Sequence, residues 1–257
     1  MKLIDLTLPM QSWMPKYPSD PEASLSEKKA SAIEVIEPIL DESGYTSGAG
    51  VTSVKYSSGY MDMIIRNHHG THVDAPAHKL PNGKKISDYP LDKFLNSFEL
   101  LNLTPAQILT RPSSQITLEN LVQNGALALP KETRAIIIYT GFCDYFNDLE
   151  RPQQDKERKE KQFPFLTFPA IEELLKRYSS LNILGIDSFS FDPRGSNSEV
   201  HREMLARDVL PLEILWNLKE LSVEVEKDPA GKRTLYCMPL SIKGGDAAQT
   251  RAYAEIE

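Results

Sequence analysis

Between positions 68 and 78 the chain reads His68-His69-Gly70-Thr71-His72-Val73-Asp74-Ala75-Pro76-Ala77-His78, so four of its five histidines fall within eleven residues. His68, His72, Asp74 and His78 all occupy even positions, and in an extended chain alternate residues share one face. A helix would not gather them, because at roughly 100° per residue Asp74 stands about 200° from His72. Gly70, the β-branched Thr71 and Val73, and Pro76 are poor helix-interior residues as well. Residues 60–66 read as a strand leading in. The expected local structure is thus a strand that ends in a tight Gly-containing loop and delivers its side chains from that end. Imidazole nitrogens and carboxylate oxygens are ligands for a borderline divalent metal. Four such groups on one face need partners or a cation between them. The segment points to a metal-dependent enzyme. His69 has the wrong parity and is read as a solvent-facing or packing residue.

The rest of the composition narrows the classes. At 40% hydrophobic and 25% charged, the 257 residues supply apolar material for a core and read as a single domain spanning 1–257. A net charge of −7 offers nothing to phosphate backbones or anionic lipid, which argues against nucleic-acid and membrane partners. The opening Met1-Lys2-Leu3-Ile4-Asp5-Leu6-Thr7 is interrupted by Asp5 and is too short for a signal peptide. No stretch approaches 18 apolar residues. The expected protein is soluble, cytoplasmic and directed at a small-molecule substrate. Cys143 and Cys237 could pair, but two cysteines make no disulfide scaffold. There is no Gly-rich phosphate loop and no Gly-x-Ser-x-Gly elbow, so nucleotide and serine-hydrolase readings lack support.

Coarse periodicity places the remaining elements. The N-terminal segment to about residue 50, rich in Pro, Ser and Gly, is expected to run as loops and short strands. Residues 117–125 look helical and stop at a glycine. Ala135-Ile136-Ile137-Ile138 reads as a buried strand. Residues 148–162 are charge-dense, as a solvated loop or exposed helix would be. Ile171, Leu174, Leu175 and Tyr178 recur at helical spacing, and residues 182–186 follow as a strand. Strand–helix–strand order of this kind implies an α/β domain with a partly parallel core.

His201, the fifth histidine, lies in Ser196-Asn197-Ser198-Glu199-Val200-His201, where Asn197 or Ser198 could cap a short helix. Glu213 is embedded in Leu210-Pro211-Leu212-Glu213-Ile214-Leu215, and a carboxylate taken into an apolar interior needs a cation or a metal nearby. Twelve residues of one helix span about 18 Å, too far for one ion. A helix that ends before Pro211 and a strand that starts there would let the two side chains converge.

The pattern His-x-Gly-Thr-His-x-Asp-x-Pro-x-His resembles the signature of the metal-dependent cyclase hydrolases, the family of bacterial kynurenine formamidases and isatin hydrolases. Weaker likenesses lie in Asp5-Leu6-Thr7-Leu8-Pro9, Tyr17-Pro18-Ser19-Asp20-Pro21, Tyr139-Thr140-Gly141-Phe142, Gly185-Ile186-Asp187-Ser188 and Lys243-Gly244-Gly245-Asp246 with Arg251. The resemblance implies a swivelling β/β/α domain, an α/β fold with a mixed sheet core flanked by helices, assembled as a homodimer or homotetramer. It implies a first metal on His68, His72 and Asp74, with Asp74 bridging to a second metal on His201 and Glu213. It gives His78 the part of general acid/base. Two departures bear on specificity. Tyr17 stands where kynurenine formamidases carry a tryptophan in Pro-x-Trp-Pro-Gly-Asp, with Ser19 for the glycine and Trp13 four residues earlier. Insertions fall in residues 22–60 and 143–165.

The chemistry this implies is hydrolysis of an amide or lactam C–N bond, arylformamide- or isatin-like. Two Zn²⁺ or Mn²⁺ ions per subunit would supply a metal-bound hydroxide and polarise the carbonyl. His78 would carry the proton to the leaving nitrogen, a task suited to an imidazole. Glu213 would serve as a ligand with some share in proton handling, and Tyr17, Trp13 and Phe142 would form an aromatic substrate wall. The competing reading is a metal-dependent lyase, dehydratase or true cyclase in which His78 abstracts a proton from carbon. A catalytically silent metal-binding or structural protein is a third, but every ligand of the family pattern is present here.

Overall fold

A computed structural model describes residues 1–9, 33–34, 62–63, 66–106, 108–110, 114–144 and 163–257. Their strands, in chain order, are β1 (Lys2–Asp5), β2 (Ile33–Glu34), β3 (Asp62–Met63), β4 (His72–Asp74), β5 (Leu95–Asn102), β6 (Gln115–Ile116), β7 (Ala135–Tyr139), β8 (Phe165–Leu166), β9 (Ile183–Ile186), β10 (Leu210–Glu213), β11 (Arg233–Tyr236), β12 (Ala247–Gln249) and β13 (Tyr253–Ile256). The α-helices are α1 (Leu118–Gln123), α2 (Phe168–Arg177), α3 (Glu199–Ala206) and α4 (Leu218–Lys227). Strands β2 and β3 pair antiparallel with each other in a separate compact unit. All the other elements belong to the main unit.

Nine strands of the main unit form one mixed sheet in the order β1-β13-β11-β5-β7-β9-β10-β4-β12. Its centre, β5-β7-β9-β10, is parallel, and both flanks are antiparallel. Parallel strands need both faces covered, and they read as continuous apolar runs for that reason. Every residue of β7 and β9 is buried. Ile136, Ile138, Leu184 and Ile186 pack with α1, α2 and α3 on one face. Ala135, Ile137 and Tyr139 pack with Ile4, Leu6, Leu212 and the apolar side of α4 on the other. The sheet curls. Thr7, just past the edge strand β1, bridges Leu215 just past β10, and Trp216 N donates to Leu6 O at 2.9 Å. The expected α/β fold, a mixed sheet with flanking helices, is the one observed.

Local chemistry explains the element ends. Thr117 caps α1 by accepting from Asn120 N, and Gly125 closes it at φ +80°. Helix α2 carries the foreseen stripe of Ile171, Leu174 and Leu175. Cys143 and Cys237 are buried free thiols. No described helix is long and apolar enough to cross a membrane. The charged segment 148–162 lies outside the described residues, as do Trp13 and Tyr17. So do Tyr60, Met61, Ile64 and Ile65 of the expected lead-in strand, of which only Asp62–Met63 is described as a strand.

Candidate metal centre

The histidine segment is not one extended run. His68 lies in a turn that passes through Gly70 at φ +65°, a conformation glycine adopts without strain. The glycine loop leads directly into the ligand strand. Only His72-Val73-Asp74 is strand. His78 ends a short 3₁₀ helix, Pro76–His78, because Pro76 presets its first turn. The parity argument thus holds for His72 and Asp74, while turns at either side bring His68 and His78 back to the same place.

Sheet register supplies the fifth side chain. Glu213 of β10 stands directly opposite His72 of β4, and cross-strand partners share a face. Asp74, two residues on, shares it as well. On the far side Ala247 of β12 stands opposite Asp74. After Glu213 the chain turns through Ile214 in the left-handed region, φ +57°, a strained conformation for a β-branched residue. Ile214 N donates to Ser188 O at 3.0 Å, and Ile214 O accepts from Thr71 Oγ1 at 2.7 Å, so the segment after β9 and the histidine loop hold the turn from two sides. Helix α3 brings in His201. Ser198 is its N-cap residue but makes no side-chain cap bond. Asp192 does that work instead, accepting from Val200 N at 3.0 Å and His201 N at 2.9 Å.

Four imidazoles converge on Asp74. Its Oδ1 lies 3.0 Å from His68 Nδ1 and 3.3 Å from His72 Nε2. Its Oδ2 lies 3.5 Å from His201 Nε2 and 3.8 Å from His78 Nε2. Glu213 closes the ring, with Oε1 3.0 Å from His201 Nε2 and Oε2 3.4 Å from His72 Nε2. Yet His72 Nε2 and both oxygens of Asp74 are buried without a hydrogen-bond partner. Polar atoms that crowd to van der Waals distance but do not bond one another are directed at a common point between them. A cation there would satisfy all of them. Donor atoms of His72, Asp74 and Glu213 lie within 4.8 Å of one another, as do those of His68, Asp74 and His78. This donor set, imidazole and carboxylate without thiolate, fits a divalent ion such as Zn²⁺ or Mn²⁺.

Partners outside the ring fix which nitrogen faces inward. Gly70 O can only accept, so His72 Nδ1 donates to it at 2.8 Å and leaves Nε2 for the centre. His201 Nδ1 donates to the Asp192 carboxylate at 2.5 Å, with the same result. Without a cation the ring is held by charge. Burial disfavours the imidazolium of His72, but Asp74 and Glu213 overcome this and raise its pKa to about 10. His68 is lifted against burial to about 9, by Asp74 and Asp246. His201 is driven well up by Glu213, Asp192 and Asp74. Burial opposes ionisation of Asp74 as well, yet His68, His78 and His201 hold it well below the usual carboxylate range.

One side of the centre is open. His72, Asp74, His201 and Glu213 side chains are at most 5% exposed, whereas His68 is 29%, His78 21% and Asp246 38%. Gly83 packs under this open rim. A Cβ on Gly83 would fall 2.4–2.7 Å from backbone atoms of Pro76 and Ala77, which cannot swing away. Gly83→Ala is expected to lower stability by about 1–3 kcal/mol and to displace His78. The checks are a lowered Tm and a loss of turnover in protein that still carries its metal.

Two carboxylates of the site were not among the candidates read from the sequence. Asp192 precedes a proline and looks like a turn residue. Asp246 was noted only within its Lys-Gly-Gly-Asp segment and given no role. Phe142 is buried in an aromatic cluster, its ring 5.2 Å from Phe189, which in turn meets Phe163 at 5.7 Å. Asp187 fixes its loop by accepting from Thr140 N, Thr140 Oγ1 and Cys143 N. The Phe191 ring lies 6.1 Å from that of His201.

The chain belongs to the Cyclase family, described as "Putative cyclase", which matches residues 4–193. The match spans the histidine segment and stops short of His201 and Glu213. The chain is 28% identical over 196 residues to kynurenine formamidase from Salinibacter ruber, covering 74% of this chain and 76% of the relative. Its fold is that of isatin hydrolase A from Ralstonia solanacearum, with a TM-score of 0.71, 17% identity, and 100% and 92% of the two chains covered. It is likewise that of a potential metal-dependent hydrolase with cyclase activity, with a TM-score of 0.63, 20% identity, and 98% and 96% covered.

Proposed function

We propose that this protein is a divalent-metal hydrolase that opens the C–N bond of an amide or lactam, an arylformamide- or isatin-like compound. The observation that carries this reading is the buried, unpartnered trio His72 Nε2, Asp74 Oδ1 and Asp74 Oδ2 at the focus of four imidazoles. The names of the relatives supply the bond type. His68, His72 and Asp74 would hold one ion, and Asp74, His201 and Glu213 a second. A bound Zn²⁺ or Mn²⁺ supplies acidified water and a polarised carbonyl. The chain's own share is positioning and proton transfer. His78 is assigned to the proton. Its Nε2 stands farthest from Asp74, 3.8 Å against 3.0–3.5 Å for the other three imidazoles. Its ring sits at the open rim where a leaving nitrogen would be. Glu213, also hydrogen-bonded by Phe191 N at 3.1 Å, is tied down as a ligand rather than free to move protons.

The test pairs turnover with metal content. Zinc- or manganese-loaded protein should hydrolyse formanilide or isatin, with one oxygen of the product taken from ¹⁸O-labelled water. His78→Gln should keep the parent's metal and lose about 100-fold or more in kcat. If the metal leaves with His78, the residue is a ligand and not the acid/base. If neither probe is cleaved with either ion, the hydrolase reading fails. A product formed without solvent oxygen would favour a lyase.

A further inference from the structure

We propose that Asp246 is the positioning residue that selects the ring form of His78 and ties it to the ligand His68; this rests on the hydrolase reading and extends it. Asp246 immediately precedes β12, the edge strand paired with β4. Its carbonyl accepts from Ala75 N at 2.8 Å, and the carbonyl of Gly245 accepts from Ile86 N at 2.9 Å. The backbone is therefore pinned to the chain on both sides of His78, and the carboxylate reaches the rim from a fixed origin. There a single oxygen serves both rim imidazoles. Oδ2 accepts from His78 Nδ1 at 3.1 Å and from His68 Nε2 at 3.3 Å. The rings lie 4.2 Å apart, centroid to centroid. Oδ1 accepts from Asn67 Nδ2 in a short hydrogen bond.

The consequence is directional. A carboxylate can only accept, so each imidazole presents an N–H to Asp246. His78 then has its Nε2 lone pair turned toward Asp74 and the reacting space, the form that can take a proton there. His68 has Nδ1 left for the centre, 3.0 Å from Asp74 Oδ1. Asp246 meets the cluster through His68 and His78, so its effect passes through the two histidines. His201 has the same arrangement with Asp192, but that pair is sealed inside the protein. Asp246 is the counterpart at the open edge, where the moving proton must be handled.

The substitution Asp246→Asn tests this sharply because Asn67 dictates how the new amide sits. Asn67 Nδ2 requires an acceptor, so the amide oxygen takes the Oδ1 place and the NH₂ faces the imidazoles. His78 Nδ1 must then accept, and its proton moves to Nε2. For zinc-loaded protein with ¹⁵N-labelled histidine, two-bond ¹H–¹⁵N correlation should show His78 as the Nδ1–H form in the parent and the Nε2–H form in Asp246→Asn. Turnover of formanilide or isatin should fall about 10- to 100-fold in kcat. The same NH₂ also meets the Nε2–H of His68, donor against donor, so zinc affinity should weaken, and with zinc held at saturation KM should stay within about twofold. Asp246→Glu, which keeps the acceptor, should keep the Nδ1–H form and recover part of kcat. An Nε2–H form in the parent, or no change of ring form in Asp246→Asn, overturns the proposal. So does a loss confined to KM. If the parent cleaves neither probe, the hydrolase reading fails, while the nitrogen spectrum still decides the role of Asp246.

Discussion

Asp74→Asn is expected to yield a folded protein that binds no divalent metal and has lost turnover by at least about a thousandfold, since a bound cation carries several kcal/mol of transition-state stabilisation. No other side chain in the site meets so many partners. Four imidazole nitrogens approach its two oxygens at 3.0–3.8 Å, and neither oxygen has a hydrogen bond of its own. An amide there offers one neutral oxygen and one NH₂, which has no acceptor except the imidazole lone pairs a cation would use. Both proposed ion sites share Asp74, so both should empty together. Elemental analysis reads this directly, and circular dichroism confirms that the fold survives. Retention of the parent's metal would mean that the ligand ring lies elsewhere. The metal-free variant should also be less stable than the metal-free parent. Removing one member of a buried ionic group costs roughly 3–5 kcal/mol.

How far this centre could be read from the sequence depends on where its parts lie along the chain. His68, His72, Asp74 and His78 were legible because they crowd within eleven residues, and no ordinary surface needs that. Glu213 was visible as a carboxylate in an apolar run, for β10 is buried at every position. That His201 reaches it depends on the link from α3 into β10, and the break foreseen before Pro211 is where the helix stops. The fold class followed from alternating strands and helices, because buried parallel strands such as Ala135–Tyr139 write their environment as an unbroken apolar run. Asp192 and Asp246 were illegible for the opposite reason. Each is a lone aspartate beside proline or glycine, where turn formation already explains it. Asp246 meets His78 across 168 residues of chain, a contact set by the pairing of β12 with β4 that no local pattern encodes. His68, His72, Asp74 and His78 come in one motif, whereas His201, Glu213 and the carboxylates that orient the imidazoles are contributed by tertiary topology.

Metal affinity is expected to climb steeply with pH, by about 100-fold per unit between pH 6 and 8 if at least two protons leave for each chain loaded. The cause is the charge that holds the ring together in the cation's absence. His72 is raised to about 10 and His68 to about 9, while His201 is driven well up. With values of about 10 and 9, His72 and His68 carry protons at neutrality in the metal-free protein, and each must lose one to ligate. Calorimetry in buffers of different ionisation enthalpy should register the released protons, and chelator competition should give the slope. An affinity flat across this range would mean that the imidazoles of the empty site are already neutral. The same shifts set the stability of the metal-free protein. A histidine whose pKa rises on folding contributes fully below its unfolded value near 6.5, and the contribution is lost as pH rises through 9 to 10. Asp74 and Glu213, whose folded values are depressed, contribute above about pH 4 and lose that contribution as pH falls. Metal-free protein should accordingly show its highest Tm between these limits and a decline toward pH 10. In metal-loaded protein the imidazoles are neutral ligands, so the alkaline decline should vanish. A metal-free Tm that holds steady to pH 10 would show that the carboxylate–imidazolium ring does not stabilise the fold.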